Sequence, residues 1–376
     1  MHHNKYMTKV YVLGAGASAA YTGSFLGETS PVAKNFFQKA MRVMNIHQVK
    51  NRYFGDENLK YRHIFAFIEE FWGISKDKIA RSDLDMEEVL TLLNIELQED
   101  TAGQGRLVQA YEEFLLLMAL TFDKILYGTP CPHYQRIAES LQPEDTVISF
   151  NYELLMDYAL LNRKDARVFW HTRDGYGIPC NNLQPSAREK EQGELWRHEA
   201  TGPAQPSSNI QLLKLHGSLN WLYCPRCGRL FTYQHDGVAG QSLIINGMAN
   251  MLNCMTRNCC QRLSRVIIPP TLMKNYQSVP FIPKLWGQAR RALEKASEII
   301  IIGYSFPPTD FRSNWMFRKA MTRNQNLKRV VVIDTAEGYP LKTLLTKHKS
   351  IFRVNDIAFY PNLAEYSPRI TPQAVQ

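Results

Sequence analysis

The stretch that decides the fold is VYVLGAGAS, residues 10–18. A short apolar run ends in Gly14-Ala15-Gly16-Ala17-Ser18, a pattern typical of a strand that turns into a helix. Glycines let such a turn approach a ligand closely, and the helix N-terminus that follows favours an anion. The sixth position of the dinucleotide fingerprint is Ala19, which that fingerprint admits. An ordinary strand–helix turn is the alternative, but a turn after the first strand favours phosphate binding.

The composition is that of an ordinary globular protein. Of its residues, 45% are hydrophobic and 21% are charged. A length of 376 residues is enough for a full core and more than one domain. The sequence has no run of about 18 apolar residues and no apolar core of a signal peptide, so we expect no membrane span and a cytoplasmic location. The net charge of +9 permits a nucleic-acid partner, but the basic residues are scattered and do not indicate one specifically.

Apolar strands alternate with helical segments after the first turn, which predicts an α/β fold with a Rossmann-like parallel sheet. Residues 36–140 are predicted to be a helical insertion between the first strand and the next. We predict helices at 32–43, 61–72, 86–97, 106–126, 154–161, 283–296 and 311–321. We predict further strands at 146–150, 212–215, 265–268, 298–302, 329–333 and 351–355, and long loops over a minor strand at 163–210.

Polar or glycine residues follow five of the predicted strands. They are Gly14–Ser18, Asn151, His216, Ser305 and Asp334. Ligands of parallel α/β sheets bind at the carboxyl ends of the strands. We therefore expect these five positions to share one site.

Four of the seven cysteines form a pattern typical of a zinc ribbon. Cys224 and Cys227 make a Cys-x-x-Cys knuckle, and Cys254 with Cys259 makes a looser second one, for which Cys260 is the rival ligand. Without a secretory signal, spaced cysteines indicate a metal more than a disulfide. Four thiolates leave no open coordination position, so we predict a structural zinc in a module at residues 223–262. The alternative is a set of buried free thiols.

Several motifs follow in the order in which sirtuins carry them. Gly14-Ala15-Gly16-Ala17-Ser18 matches the sirtuin phosphate turn, and Asn151 and Glu153 match the Asn and the acid of the Gln-Asn-Ile-Asp motif. His216-Gly217 matches the sirtuin His-Gly, Gly303-Tyr304-Ser305 its Gly-Thr-Ser, and Asp334 its Asn-containing strand end. Together with the cysteine ribbon, the chain therefore resembles the sirtuin fold from about residue 10 to residue 334. The resemblance implies an NAD-binding domain made of residues 8–35 and 141–376.

The chain is most similar to the sirtuin-like branch found in bacterial anti-phage defence. There, Phe-Asn-Tyr-acid, Leu-His-Gly-Ser and Ile-Pro-Pro-Thr recur, and here they lie at 150–153, 215–218 and 268–271. Deacylating sirtuins differ: they carry an Asp and an Arg that residues 27–32 lack, and a Phe-Gly-Glu loop where this chain has Ile-Pro-Pro-Thr. Because proline has no N–H with which to pair a peptide strand, we expect NAD handling without peptide handling.

The resemblance also implies roles for single residues. Gly14, Ala15, Gly16, Ser18, Gly303 and Ser305 would hold the NAD pyrophosphate, with Glu153 beside them, and Asp334 would accept a hydrogen bond from the adenosine ribose. Asn151 would hold the nucleophilic water or the nicotinamide amide, and His216 would act as the base. Each has a structural alternative: Asn151 could cap a helix, and His216 could be a hydrogen-bonded core histidine.

The leading functional hypothesis is an NAD glycohydrolase that gives nicotinamide and ADP-ribose and depletes NAD during infection. One alternative is an NAD-dependent protein deacylase or ADP-ribosyltransferase, and another is a non-catalytic module that binds NAD or ADP-ribose within a complex. The resemblance implies a homo-oligomer or a complex with a separately encoded defence protein. No feature predicts a membrane partner.

Overall fold

The computed structural model describes residues 7–46, 61–99, 104–165, 167–185, 196–198, 207–233, 253–254, 256, 258–268, 279–307, 310–336 and 340–366. The strands are β1 (Lys9–Leu13), β2 (Thr146–Ser149), β3 (Cys180–Pro185), β4 (Trp196–His198), β5 (Gln211–Lys214), β6 (Gly217–Tyr223), β7 (Leu230–Tyr233), β8 (Ser264–Ile267), β9 (Glu298–Ile302), β10 (Arg329–Ile333) and β11 (Ala358–Tyr360). The α-helices are Ala15–Ala19, Phe36–Ile46, Arg62–Trp72, Met86–Glu99, Gln104–Leu126, Pro132–Ser140, Leu155–Leu161, Ile282–Lys295, Phe311–Met321 and Leu341–Phe352. None of these helices has the length and apolar run of a membrane span.

The main sheet has six parallel strands in the spatial order β11-β10-β9-β1-β2-β5. Numbered along the chain within this sheet, the order is 6-5-4-1-2-3, which is the strand order of dinucleotide-binding folds. The order in which the strands are added to the sheet therefore reverses between β1 and β9, and this is the topological switch point of the sheet. The predicted Rossmann-like α/β sheet is confirmed.

Continuous apolar runs explain why the central strands form the core. Every residue of β1 and of β9 is buried, including the run Ile299–Ile302. Parallel strands that are covered on both faces carry such runs instead of an alternating pattern. These two strands pair over their whole length, from Lys9 opposite Glu298 to Leu13 opposite Ile302.

The described residues between β1 and β2 are mainly helical. The longest helix, Gln104–Leu126, buries one side, which includes Leu107, Phe114 and Met118, as its 3.6-residue periodicity predicts. Arg62–Trp72, Met86–Glu99 and Phe36–Ile46 pack against it. The helix predicted at 32–43 begins later than expected, because residues 33–35 form a 3₁₀ turn. The helix Pro132–Ser140 was not predicted.

A second sheet of five strands, in the order β4-β3-β7-β6-β8, is built from segments that lie before and after β5 in the chain. Its strand β6 is buried throughout and begins directly after His216, where no strand was predicted. Two of its strands, β3 and β4, fall in residues 163–210, where long loops and one minor strand were expected.

The strand predicted at 351–355 is wrong. Ile351 and Phe352 are buried on the inner side of the helix Leu341–Phe352, and their apolar side chains were mistaken for a strand. Arg353 ends the helix in the left-handed conformation, with φ +56°. The last strand of the sheet is β11, a few residues further on.

Candidate active site at the strand ends

The turn after β1 and the turn after β9 touch each other at the switch point. The Gly16 N–H donates to the Gly303 carbonyl at 3.0 Å, and the Gly14 N–H donates to the Ile302 carbonyl at 3.0 Å. A Cβ on Gly14 would lie 2.4 Å from Gly303 O, and a Cβ on Gly16 would lie 2.8 Å from Gly303 Cα. The close approach of these two turns is therefore enough to explain why glycine occupies positions 14 and 16. Ala15 and Gly16 are exposed beside this contact.

Asn151 ties the turn after β2 to the turn after β1. Its Nδ2 donates to Gly14 O and to Ser18 Oγ, both at 2.9 Å. Ser18 Oγ in turn donates to Glu153 Oε1 at 2.7 Å. Three predicted site residues, Asn151, Ser18 and Glu153, thus form one buried hydrogen-bonded group. Because both hydrogens of the Asn151 amide are used in this way, its oxygen is the atom suited to a ligand.

Tyr134 belongs to the same group, although no sequence signal pointed to it. It comes from the helix Pro132–Ser140, and its hydroxyl lies 3.2 Å from Ser18 Oγ. Burial is the largest cause that raises the pKa of Glu153, while Lys214 and the Ser18 hydroxyl act in the opposite direction. Glu153 also accepts the Leu155 N–H at the start of the next helix. Its carboxyl group thus has a structural role in this turn.

Lys214, the last residue of β5, hydrogen-bonds to the turn after β2 and to the helix that follows it. Its ammonium group is buried and donates to Glu153 O at 2.6 Å and to Asp157 Oδ2 at 3.1 Å. Tyr176 O–H donates to the other Asp157 oxygen and accepts a hydrogen bond from Asn220 at 3.2 Å. These four residues connect the main sheet to the second sheet, and their burial makes the connection sensitive to the loss of any one partner.

His216 lies among aromatic side chains at the end of β5. His216 is 6% exposed, and the centroid of its ring lies 5.2 Å from the Phe150 ring centroid and 6.2 Å from the Trp286 ring centroid. Phe150 also stacks flat on Tyr304, with the ring centroids 4.2 Å apart. Phe150 immediately precedes Asn151, so the aromatic contact joins the two predicted catalytic positions.

Asp310 is the acidic neighbour of His216. Its Oδ2 lies 3.9 Å from His216 Nε2, within ion-pair distance when the imidazole is protonated. No pattern in the sequence pointed to Asp310, because an aspartate before a helix is ordinarily a cap.

Ser305 and Asp334 lie at the strand ends as predicted but outside this hydrogen-bonded group. Ser305 is half-buried next to Tyr304. Asp334 is half-buried after β10, and its Oδ1 accepts the Ala336 N–H at 2.8 Å. Among the described residues, neither side chain is hydrogen-bonded to Asn151 or to His216.

The cysteine cluster fits a tetrahedral metal. The Sγ atoms of Cys224, Cys227, Cys254 and Cys259 all lie within 4.8 Å of one another. The Cys224–Cys259 and Cys227–Cys254 sulfur distances are 3.5 and 3.6 Å, near the roughly 3.8 Å edge of a tetrahedron with 2.3 Å zinc–sulfur bonds. Cys260 is exposed and outside the cluster, so Cys259 completes the set. These four thiols could hold a metal such as zinc, with no open position for catalysis.

Comparisons with known proteins do not assign the chain to a family: no family model matches it, and no curated protein is significantly similar to it.

Proposed function

We propose that the protein is a sirtuin-like NAD glycohydrolase, which cleaves NAD to nicotinamide and ADP-ribose. The observation that supports this most is the dinucleotide-binding strand order with Asn151 and His216 at the ends of neighbouring strands β2 and β5. In such sheets, ligands bind outside the carboxyl ends of the strands at the switch point. The exposed backbone at Ala15 and Gly16 would then face the pyrophosphate, with Ser305 beside it, and the second oxygen of Asp334 would accept from the adenosine ribose.

In the proposed reaction, a water molecule attacks the anomeric carbon of the nicotinamide ribose. The electrons of the breaking N-glycosidic bond return to the pyridinium nitrogen, so nicotinamide leaves as a neutral base. The Asn151 side-chain oxygen accepts a hydrogen bond from the attacking water or from the nicotinamide amide. His216 takes the proton that the water loses, and the product is ADP-ribose.

The backbone around Ile268 favours hydrolysis over peptide deacylation. Its N–H donates to His216 O at 2.8 Å, and its carbonyl accepts the Tyr152 hydroxyl at 2.6 Å. Both main-chain groups are thus engaged within the chain where a deacylase would pair its peptide. Residues 269–271, which complete the Ile-Pro-Pro-Thr motif, lie outside the described residues.

The test is a chromatographic assay of NAD incubated with purified protein. Wild type should release nicotinamide and ADP-ribose in equal amounts, whereas Asn151→Ala and His216→Ala should each lose about 10²-fold or more of the rate. Asn355→Ala, at an exposed asparagine, is the matched control. Circular dichroism should show that the variants are folded, because Asn151 also bonds to the turn after β1.

The outcomes separate the candidate functions. Turnover that persists in both variants would contradict the site. Turnover that depends strictly on an acyl-lysine peptide would favour a deacylase. NAD that binds wild type and remains unchanged would favour a non-catalytic module, and no binding at all would refute the proposed ligand.

The role in anti-phage defence rests on the sequence resemblance alone. An active NAD glycohydrolase of this type should lower cellular NAD during infection, as a homo-oligomer or together with a separately encoded partner. Mass spectrometry of NAD in infected cells that carry wild type or His216→Ala tests this role. Equal NAD levels in the two cultures would contradict it.

A further inference from the structure

Asp310 occupies a helix-capping position without capping the helix. It immediately precedes the helix Phe311–Met321, where an aspartate ordinarily accepts backbone N–H groups. Its side chain makes no capping hydrogen bond to the described residues of this helix. The carboxylate instead accepts the Tyr304 hydroxyl at 2.7 Å and faces His216 Nε2 at 3.9 Å, both through Oδ2.

The contact between Asp310 and His216 bridges distant parts of the sheet. His216 follows β5 and Asp310 follows β9, and these strands are separated by β1 and β2. Three inter-strand steps correspond to roughly 14 Å across the sheet. Residues 303–307 and Asp310 must therefore lie over the ends of β1 and β2, where Tyr304 stacks on Phe150.

The Asp310 carboxylate is deeply buried beside the His216 imidazole. Asp310 is 2% exposed, and a buried carboxylate loses its hydration. A buried acid kept beside an imidazole is the arrangement that orients the histidine of hydrolytic enzymes.

We propose that Asp310 is the positioning residue of His216, held in turn by Tyr304; this inference rests on the proposed glycohydrolase function. Asp310 favours the imidazole tautomer with the proton on Nε2. The lone pair then lies on Nδ1, which takes the proton from the attacking water, and the carboxylate stabilises the imidazolium that forms. The proton later passes from Nδ1 to solvent, so Asp310 itself gains and loses none. The 3.9 Å separation shortens in the substrate complex, as such contacts commonly do.

The test combines steady-state kinetics with ¹⁵N NMR of histidine-labelled protein, in which the His216 signals are assigned by their loss in His216→Gln. Asp310→Asn should lower kcat by about 10²-fold with KM within about threefold, because orientation acts mainly in the transition state. It should also shift the His216 ring ¹⁵N signals. Asp356→Asn makes the same chemical change at an exposed site and should alter neither.

Tyr304→Phe provides a second variant that retains the ring stacking. It should lower kcat about fivefold, because Asp310 loses one of its donors. Should Asp310→Asn fail to fold, the same two measurements on Tyr304→Phe decide. A kcat within threefold of wild type for Asp310→Asn, or unchanged His216 signals in the folded variants, would overturn the inference.

The NMR measurement also separates this inference from the proposed function. If wild type neither cleaves nor binds NAD, the glycohydrolase proposal fails. A His216 shift in Asp310→Asn but not in Asp356→Asn would still support Asp310 as the residue that orients this imidazole. Identical His216 spectra in the two variants would refute it.

Discussion

Gly303→Ala should destabilise the protein far more than an ordinary glycine replacement. Gly303 has φ +59°, and an added Cβ would lie 2.2 Å from Ala17 N and 2.4 Å from Gly16 C. The left-handed conformation alone costs an alanine about 1 kcal/mol. Overpacking against backbone adds about 1–3 kcal/mol, and parting the turns breaks the Gly16–Gly303 hydrogen bond, for about 1 kcal/mol more. We expect a loss of about 3–5 kcal/mol in the free energy of unfolding.

Gly73→Ala is the matched control for this prediction. Gly73 has φ +65° at the end of a helix, but a Cβ there would meet nothing within 4 Å. It should therefore lose only the conformational part, about 1 kcal/mol. Urea unfolding followed by circular dichroism measures both variants. A loss for Gly303→Ala no larger than that for Gly73→Ala would refute the interpretation that the two turns are packed against each other.

Three further predictions concern the metal cluster, a buried acid and a buried lysine. Cys227→Ser should abolish binding of one zinc per chain and Cys260→Ser should retain it, measured by metal analysis after dialysis; equal zinc contents would contradict the ligand set. Burial raises the pKa of Asp123 from 3.8 to about 7, so the folded state keeps a proton that the unfolded chain releases, and stability falls as pH rises from about 4 to 7. Asp123→Asn should remove this fall, and at pH 8 its free energy of unfolding should exceed that of wild type by about 3–4 kcal/mol. Parallel curves of unfolding free energy against pH for the two proteins would contradict this prediction. Lys214→Met should cost about 3–5 kcal/mol in urea unfolding, because Asp157 is left buried without its ion partner, and a cost below 1 kcal/mol would show that the pair is dispensable.

Local sequence patterns predicted the helices that bury one face and the strands that are buried over almost their whole length. The strands β9 and β10 and the helix Phe311–Met321 lie at their predicted bounds, because apolar runs and helical periodicity are properties of adjacent residues. The glycine turn, Asn151 and His216 lie just after β1, β2 and β5, as the apolar runs before them predicted.

Contacts between distant residues were not predictable in this way. β6 was not predicted, because it is the pairing with β7 and β8 that makes Gly217–Tyr223 a strand. Tyr134 and Asp310 reach the site through the packing of their helices. Nothing adjacent to either residue in the sequence indicates a partner, because those partners are set by the tertiary structure.

The central position of β1 has a consequence for how the protein is made. Thr8, beside β1, bonds to Ser297, beside β9, across 289 residues of chain. A ribosome that adds roughly 5–20 residues per second needs on the order of 15–60 s to make β9, the second neighbour of β1, after β1 itself has emerged. During that time, one edge of the most apolar part of the sheet has no partner strand, which is a state prone to aggregation. We therefore expect the yield of folded protein to depend on chaperones that bind the nascent chain.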